Sequence, residues 1–297
     1  MLKRFGLFLL TNFLVIVTVS VILNFVLPLF GVKLSGTMGM ALFCGVFGMT
    51  GAFISLWISK WMAKRAYNLQ IIDGNTRDPG LRSIHDMIVR LARQAQLPKP
   101  PEVAIYESPD PNAFATGPSK NNSLVAFSTG LLRSMNQQEI EAVAAHEVSH
   151  IANGDMVTMT LLTGIANTFV MFFSRIVASV IDNFLRGDEG EGGLGFLAYF
   201  AVVFVLDTVF MLLASIPLAA FSRWREYRAD AGAAKLTSPH AMAAALQRLK
   251  EFTEVETPKD SFVTAKISSG RRLSLWSSHP PLDARIARLK QGRSAGF

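Results

Sequence analysis

The sequence predicts an α+β, multi-pass membrane protein in which four helical spans carry a cytoplasmic domain built around a small β-sheet. Three observations lead there. Four apolar segments are each long enough to cross a bilayer, short β-type runs precede a strongly capped helix, and basic residues gather on one side of the spans.

Half of the 297 residues are hydrophobic and 17% are charged, a low charge content for a soluble chain. Neither Phe5 to Phe30 nor Leu34 to Ser59 contains a charged residue. At about 26 residues each, both exceed the roughly 20 that span hydrocarbon. They form an anchoring hairpin, residues 1–60, joined by a short outside loop around Gly31-Val32-Lys33. The first segment follows Lys3-Arg4 as a signal peptide would, but its apolar core is too long and no small-x-small site closes it, so it reads as an uncleaved anchor. Met156 to Ile181 is charged only at Arg175, and Gly192 to Ser222 only at Asp207; these form a second hairpin, residues 156–222. Ionisable residues at membrane depth invite a functional reading. Arg175 is close enough to its outer end to snorkel, and Asp207 is expected to pair across helices with Arg175 or Asn167.

The single Cys44 lies inside the second segment, which excludes a disulfide framework and a structural zinc finger. A net charge of +7 would suggest a nucleic-acid partner in a soluble protein, but placement argues otherwise. Lys3, Arg4, Lys60, Lys64, Arg65, Arg223, Arg225 and Arg228 flank the spans on one side, whereas Lys33 and Arg186 are the only basic residues in the opposite loops. That asymmetry puts both termini and the polar sequence in the cytoplasm. The expected partner is the lipid bilayer and not nucleic acid.

The polar sequence falls into two blocks, residues 61–155 and 223–297. In the first, Asp78-Pro79 starts a helix with Leu81, Ile84, Ile88 and Leu91 at helical spacing, ending near Leu97-Pro98. Val103 to Tyr106 and Leu124 to Phe127 are β-type runs. Between them Asn112 to Gly117 follows the turn Ser108-Pro109-Asp110-Pro111. Three short strands make a small sheet. Asn112, Ala113 and Phe114 are either an edge to which an extended peptide adds as a further strand or part of an ordinary core strand.

Asn136 with Glu139 is a capping-box start, and Asn153-Gly154 a C-cap, so Gln137 to Ala152 is a helix. It carries His146-Glu147-Val148-Ser149-His150. At about 100° per residue the two imidazoles share a face one turn apart, while Glu147 lies beside them. That pattern suits a zinc hydrolase: two neutral nitrogens hold the cation, and a free carboxylate takes a proton from activated water. The apolar stripe Ile140, Val143, Ala144, Val148 and Ile151 buries the helix and fixes the pair. Only five His occur in the chain; the lone His85 and His240 receive no role.

Such a site still needs a third protein ligand. After the fourth apolar segment, Ser222 to Gly232 reads as a second amphipathic helix in which Glu226 and Asp230 share a face at i, i+4. Two intervening spans return Glu226 to the side of His150, which makes it the candidate ligand; the alternative is a surface pair with Arg223. Pro239 to about Glu251 reads as a helix, Thr257 to Arg272 as a flexible loop, and His279 to Arg285 leads into a short final helix. A metal-binding transporter would need polar residues lining several spans, whereas the first two hold only scattered Thr, Ser and Asn, and a binding-only scaffold would not need Glu147.

Four ordered motifs, Asn112 to Gly117, Ala145 to Asp155, Arg225 to Asp230 and His279 to Arg285, resemble the HtpX membrane metalloproteases, relatives of the CAAX prenyl-protease zinc endopeptidases. The resemblance covers essentially the whole chain. It implies a gluzincin-type zinc endopeptidase with one Zn²⁺ on His146, His150 and Glu226, and Glu147 as general base. It further implies that Asp230 orients a ligand His, that His279 stabilises the oxyanion, and that Arg285 supports the site by pairing with Asp230. The implied substrates are misfolded or damaged membrane proteins of the bacterial inner membrane, cleaved under stress in cooperation with other membrane proteases. Arg228 stands where many relatives carry His, which leaves no ligand role at that position.

Overall fold

The computed structural model describes residues 36–186, 192–256 and 275–291. The expected first span, Lys3, Arg4, Lys33 and the whole Thr257 to Arg272 loop lie outside them. Contacts divide the chain into two units: Met1–Ser55 with Thr160–Leu218, and Leu56–Met159 with Ala219–Phe297.

Three helices among the described residues are long and apolar enough to cross a membrane: α1 (Gly36–Ala66), α5 (Asp155–Arg186) and α6 (Phe196–Leu236). In the first unit, α1 and α5 approach closely at Gly48. A Cβ there would stand 2.6 Å from the Thr168 backbone nitrogen, so only glycine permits this crossing. Arg175 and Asp207 face each other, Nη1 to Oδ1, at 4.0 Å, and Arg175 also donates to the Met171 carbonyl at 2.8 Å. The fourth apolar segment does not end before a separate amphipathic helix, as the sequence suggested. Helix α6 runs unbroken through Pro217 to Leu236, because no second proline follows and Ala and Arg sustain the helix beyond Ser222.

The second unit contains a four-stranded mixed sheet ordered β1-β2-β4-β3. Its strands are β1 (Gln70–Ile72), β2 (Glu102–Tyr106), β3 (Ala113–Ser119) and β4 (Asn122–Ser128). β2 pairs with β4 in parallel, while β1 and β3 pair antiparallel to them. Period-two alternation sends Val103, Ile105, Val125 and Phe127 into the main core, and Ala104, Tyr106, Leu124 and Ala126 into a smaller cluster on the other face with Leu69 and Phe114. Burial on both faces is why β2 and β4 read as unbroken apolar runs. β1 is a strand the sequence reading did not find, since three residues are too few to show a period.

Helices α2 (Pro79–Gln94), α3 (Thr129–Ser134), α4 (Gln137–Asn153), α7 (Pro239–Glu256) and α8 (Leu282–Lys290) complete the unit. Asp78 caps α2 by accepting from the Gly80 and Leu81 amides. Both halves of the α4 capping box form: Glu139 N–H donates to Asn136 Oδ1 at 3.0 Å, and Asn136 N–H to Glu139 Oε2 at 2.9 Å. The main core joins Ile88 and Leu91 of α2, Val148 and Ile151 of α4, and Met242 and Leu246 of α7. α4 is thereby clamped between sheet and helices, and a buried helix holds its side chains more rigidly than a loop does.

Candidate metalloprotease site

Three elements, α4, α6 and the segment leading into α8, converge on one point. His146 and His150 project from α4 with their rings edge to face at 4.6 Å, Nε2 to Nε2 at 3.1 Å. Glu226 on α6 meets them, its Oε2 at 3.7 Å from His146 Nε2 and its Oε1 at 3.4 Å from His150 Nε2. One ligand atom from each residue lies within 4.8 Å of the others, and the three form a group able to hold a metal ion. The next residue on α4, Glu147, is buried beside them.

The partners of the outer ring nitrogens set the chemistry. His146 Nδ1 lies 3.1 Å from Asp230 Oδ1, off the line of a good hydrogen bond, so that contact is chiefly electrostatic. His150 Nδ1 lies 2.7 Å from Asp155 Oδ2 in an aligned bond. A proton on each Nδ1, directed at a carboxylate, leaves both Nε2 atoms as lone pairs facing each other and a carboxylate oxygen. In that neutral form the converging acceptors repel and a cation relieves the repulsion; without the metal, a proton on His146 does so. Tetrahedral zinc with ligands at about 2.0–2.1 Å would set them roughly 3.3 Å apart, close to the observed spacings. The residues therefore fit the metal. In the metal-free arrangement burial pulls the His146 imidazole down, but Asp230 and Glu226 outweigh it and its pKa is pushed up to about 9. Burial likewise opposes charge on His150, and Asp155 with Glu226 raise it above its ordinary value.

Arg285 forks onto Asp230 with bonds of 2.8 and 2.6 Å and lies 3.4 Å from Glu226 Oε2. His279 Nδ1 approaches the same Glu226 oxygen at 3.2 Å, with 65% of its side chain exposed. The pairing of Glu226 with Arg223 is not found. Arg223 instead donates to the Leu275 and Ser277 carbonyls at 3.2 and 2.7 Å, and the nearest Arg on Glu226's own turn is Arg225 at 3.8 Å.

One edge of the sheet is β3, which packs against α4. Asn112 precedes it, with its amide donating to Ser128 Oγ and its carbonyl accepting from the Ser128 amide. Ala113 pairs with Phe127. Phe114 turns to the outer face, against Tyr67 and Tyr106 at 5.1 and 5.7 Å. Sequence reading assigned no role to Asp155 and excluded Arg228 only as a ligand. Yet Asp155 touches His150, and Arg228 donates to Asp155 Oδ1 at 3.0 Å. The available signal was Gly154: its left-handed backbone (φ 71°) turns the chain so that the residue after it faces back along α4.

Fold and site define a metalloprotease carried on membrane-length helices. The model for Peptidase family M48 matches residues 81–293, and the chain belongs to that family. Over 291 residues it is 51% identical to Protease HtpX of Shewanella sp. (strain ANA-3), covering 97% of this chain and 99% of that one. Protease HtpX of Shewanella oneidensis matches with the same identity and coverage. Among solved structures, the crystal structure of S. mikatae Ste24p matches with a TM-score of 0.59 at 17% identity, over 84% of this chain and 58% of that one. That likeness shows a shared fold, and the chain spans 58% of the length of that larger protein.

Proposed function

We propose that this protease hydrolyses peptide bonds of misfolded or damaged membrane proteins with one zinc ion held by His146, His150 and Glu226. The convergence of those three side chains from two helices, with all ligand atoms inside 4.8 Å, carries the reading. Zinc bound there supplies Lewis acidity, polarising the scissile carbonyl and bringing the pKa of water toward about 7. Glu147 takes the proton of the attacking water and returns it to the leaving amine. His279, held on Glu226 and open to solvent, donates to the developing oxyanion. Asp230 keeps the His146 proton on Nδ1, and Arg285 fixes Asp230. Asn112, Ala113 and Phe114 lie at the entry of an edge strand of the sheet, an arrangement that suits an extended peptide adding as a further strand.

The same reading assigns residues 1–60 and 156–222 to anchoring hairpins, four spans in all, and residues 61–155 and 223–297 to one split catalytic domain. Basic residues flanking the spans favour a cytoplasmic site in a bacterial inner membrane. Removal of damaged membrane proteins under stress, alongside other membrane proteases, is the role that follows.

Metal analysis and casein cleavage by detergent-purified protein test this, with zinc or chelator added. The wild type should carry one zinc per chain and lose cleavage to chelator. Glu147→Gln should retain the zinc and lose about a hundredfold to ten-thousandfold in cleavage rate, the range that a positioned general base supplies. Full cleavage by Glu147→Gln would overturn the assignment.

A further inference from the structure

We propose that Asp155 and Arg228 form a second positioning relay, which holds His150 for the cation as Asp230 and Arg285 hold His146. The inference rests on the metal site described above. Asp155 is almost wholly buried and divides its two oxygens: Oδ2 lies 2.7 Å from His150 Nδ1, and Oδ1 accepts from Arg228 Nη2 at 3.0 Å. The same Nη2 donates to the Asn153 carbonyl at 3.1 Å. One guanidinium therefore ties the last residue of α4 to the first residue of α5 across the Gly154 turn. Without it, a buried carboxylate oxygen would lack a partner, and the carboxylate would be free to rotate off the imidazole.

The consequence for His150 is its tautomer and its ring angle. With Nδ1–H committed to Asp155, Nε2 keeps its lone pair toward His146 and Glu226. Arg228 does not share a helix face with Glu226, since i and i+2 point apart. It reaches Asp155 only by extending along the Trp224 ring, where its guanidinium carbon lies 4.9 Å from the ring centroid. Within five residues, α6 thus supplies a ligand at 226, the end of this relay at 228 and the carboxylate of the other relay at 230. A rival, purely structural account has Asp155 facing the positive end of the α5 dipole, with Arg228 closing the α4 terminus.

Competition between purified protein and a chromophoric zinc chelator separates the two, read together with thermal unfolding of the metal-free protein. Arg228→Gln should weaken zinc binding about 10-fold or more, and Arg228→Lys, which keeps a donor for both acceptors, should remain within about threefold of wild type. Unchanged zinc affinity in Arg228→Gln would overturn the relay. So would equal loss in both variants accompanied by equal loss of metal-free stability. If Arg228→Gln does not fold, Asp155→Asn carries the same expectation. A wild type that binds no zinc would sink the metal-site reading itself, a result distinct from wild-type binding that Arg228→Gln leaves intact.

Discussion

His146 and His150 sit one turn apart on the same helix, yet they are braced in different ways. The brace on His146 is assembled from distant segments: Asp230 on α6 and Arg285 on α8 meet in a forked, double hydrogen bond, with only 8% of the Arg285 side chain exposed. The brace on His150 is nearly local. Asp155 follows five residues behind its histidine, and Arg228 closes on it through a single nitrogen with 34% of its side chain exposed. A forked pair sealed from water depends on the folded core for its geometry. A single-contact pair open to water depends on the turn at Gly154. The first should therefore fail by unfolding and the second by loosening the metal.

Arg285 gives the largest expected effect. It is the charge that balances Asp230 and lies against Glu226, and removing one partner of a buried pair costs about 3–5 kcal/mol through the charge left behind. Arg285→Met should lower the unfolding free energy of metal-free protein by about that amount, measured by denaturant titration in detergent. A loss below about 1 kcal/mol, typical of an exposed pair, would erase the contrast between the two braces.

Proton competition sharpens the same contrast. Since the His146 pKa is raised to about 9, the stability its proton lends the metal-free protein is complete below about 6.5 and is lost as pH rises through about 9. Metal binding runs the other way, because the cation must displace that proton. Zinc affinity should climb by at least about tenfold per pH unit as pH rises toward about 9, His150 being raised too, and then level off. Asp230→Asn removes the carboxylate that raises the pKa, so its affinity should level off at a lower pH. An affinity flat across that range would show that His146 carries no proton to displace.

The sequence disclosed the proposed ligands more readily than their braces. His146, Glu147 and His150 are a local pattern, and helix geometry alone puts the two imidazoles on one face. Glu226 required topology, and the alternative pairing with Arg223 drops out because Arg223 is bonded to the Leu275 and Ser277 carbonyls. Asp155 stayed hidden because its role depends on the left-handed backbone of one glycine, and Arg228 because i, i+2 spacing gives no facing signal. β1 was invisible for want of length. Phe114 turned toward an aromatic cluster whose members come from the turn after α1, β2 and β3, a grouping no local pattern encodes.

The smallest expected effect comes from an ion pair that resembles these braces in composition but not in burial. Glu102 receives Lys60 at 2.9 Å and Lys64 at 2.6 Å from the end of α1, with 41% of its side chain exposed. Burial raises its carboxyl pKa, but Lys64 and Lys60 outweigh that and hold it below the ordinary glutamate value. A lowered folded-state pKa gives stability that is present above about 4.3 and disappears as pH falls through the folded value. Water screens the pair, so Glu102→Gln should cost no more than about 0.5 kcal/mol at neutral pH, and the difference from wild type should vanish on acidification. Denaturant titration of both proteins at neutral and acidic pH measures it. A cost above about 2 kcal/mol, beyond the range of exposed pairs, would mean that exposure is not what separates a weak brace from a strong one.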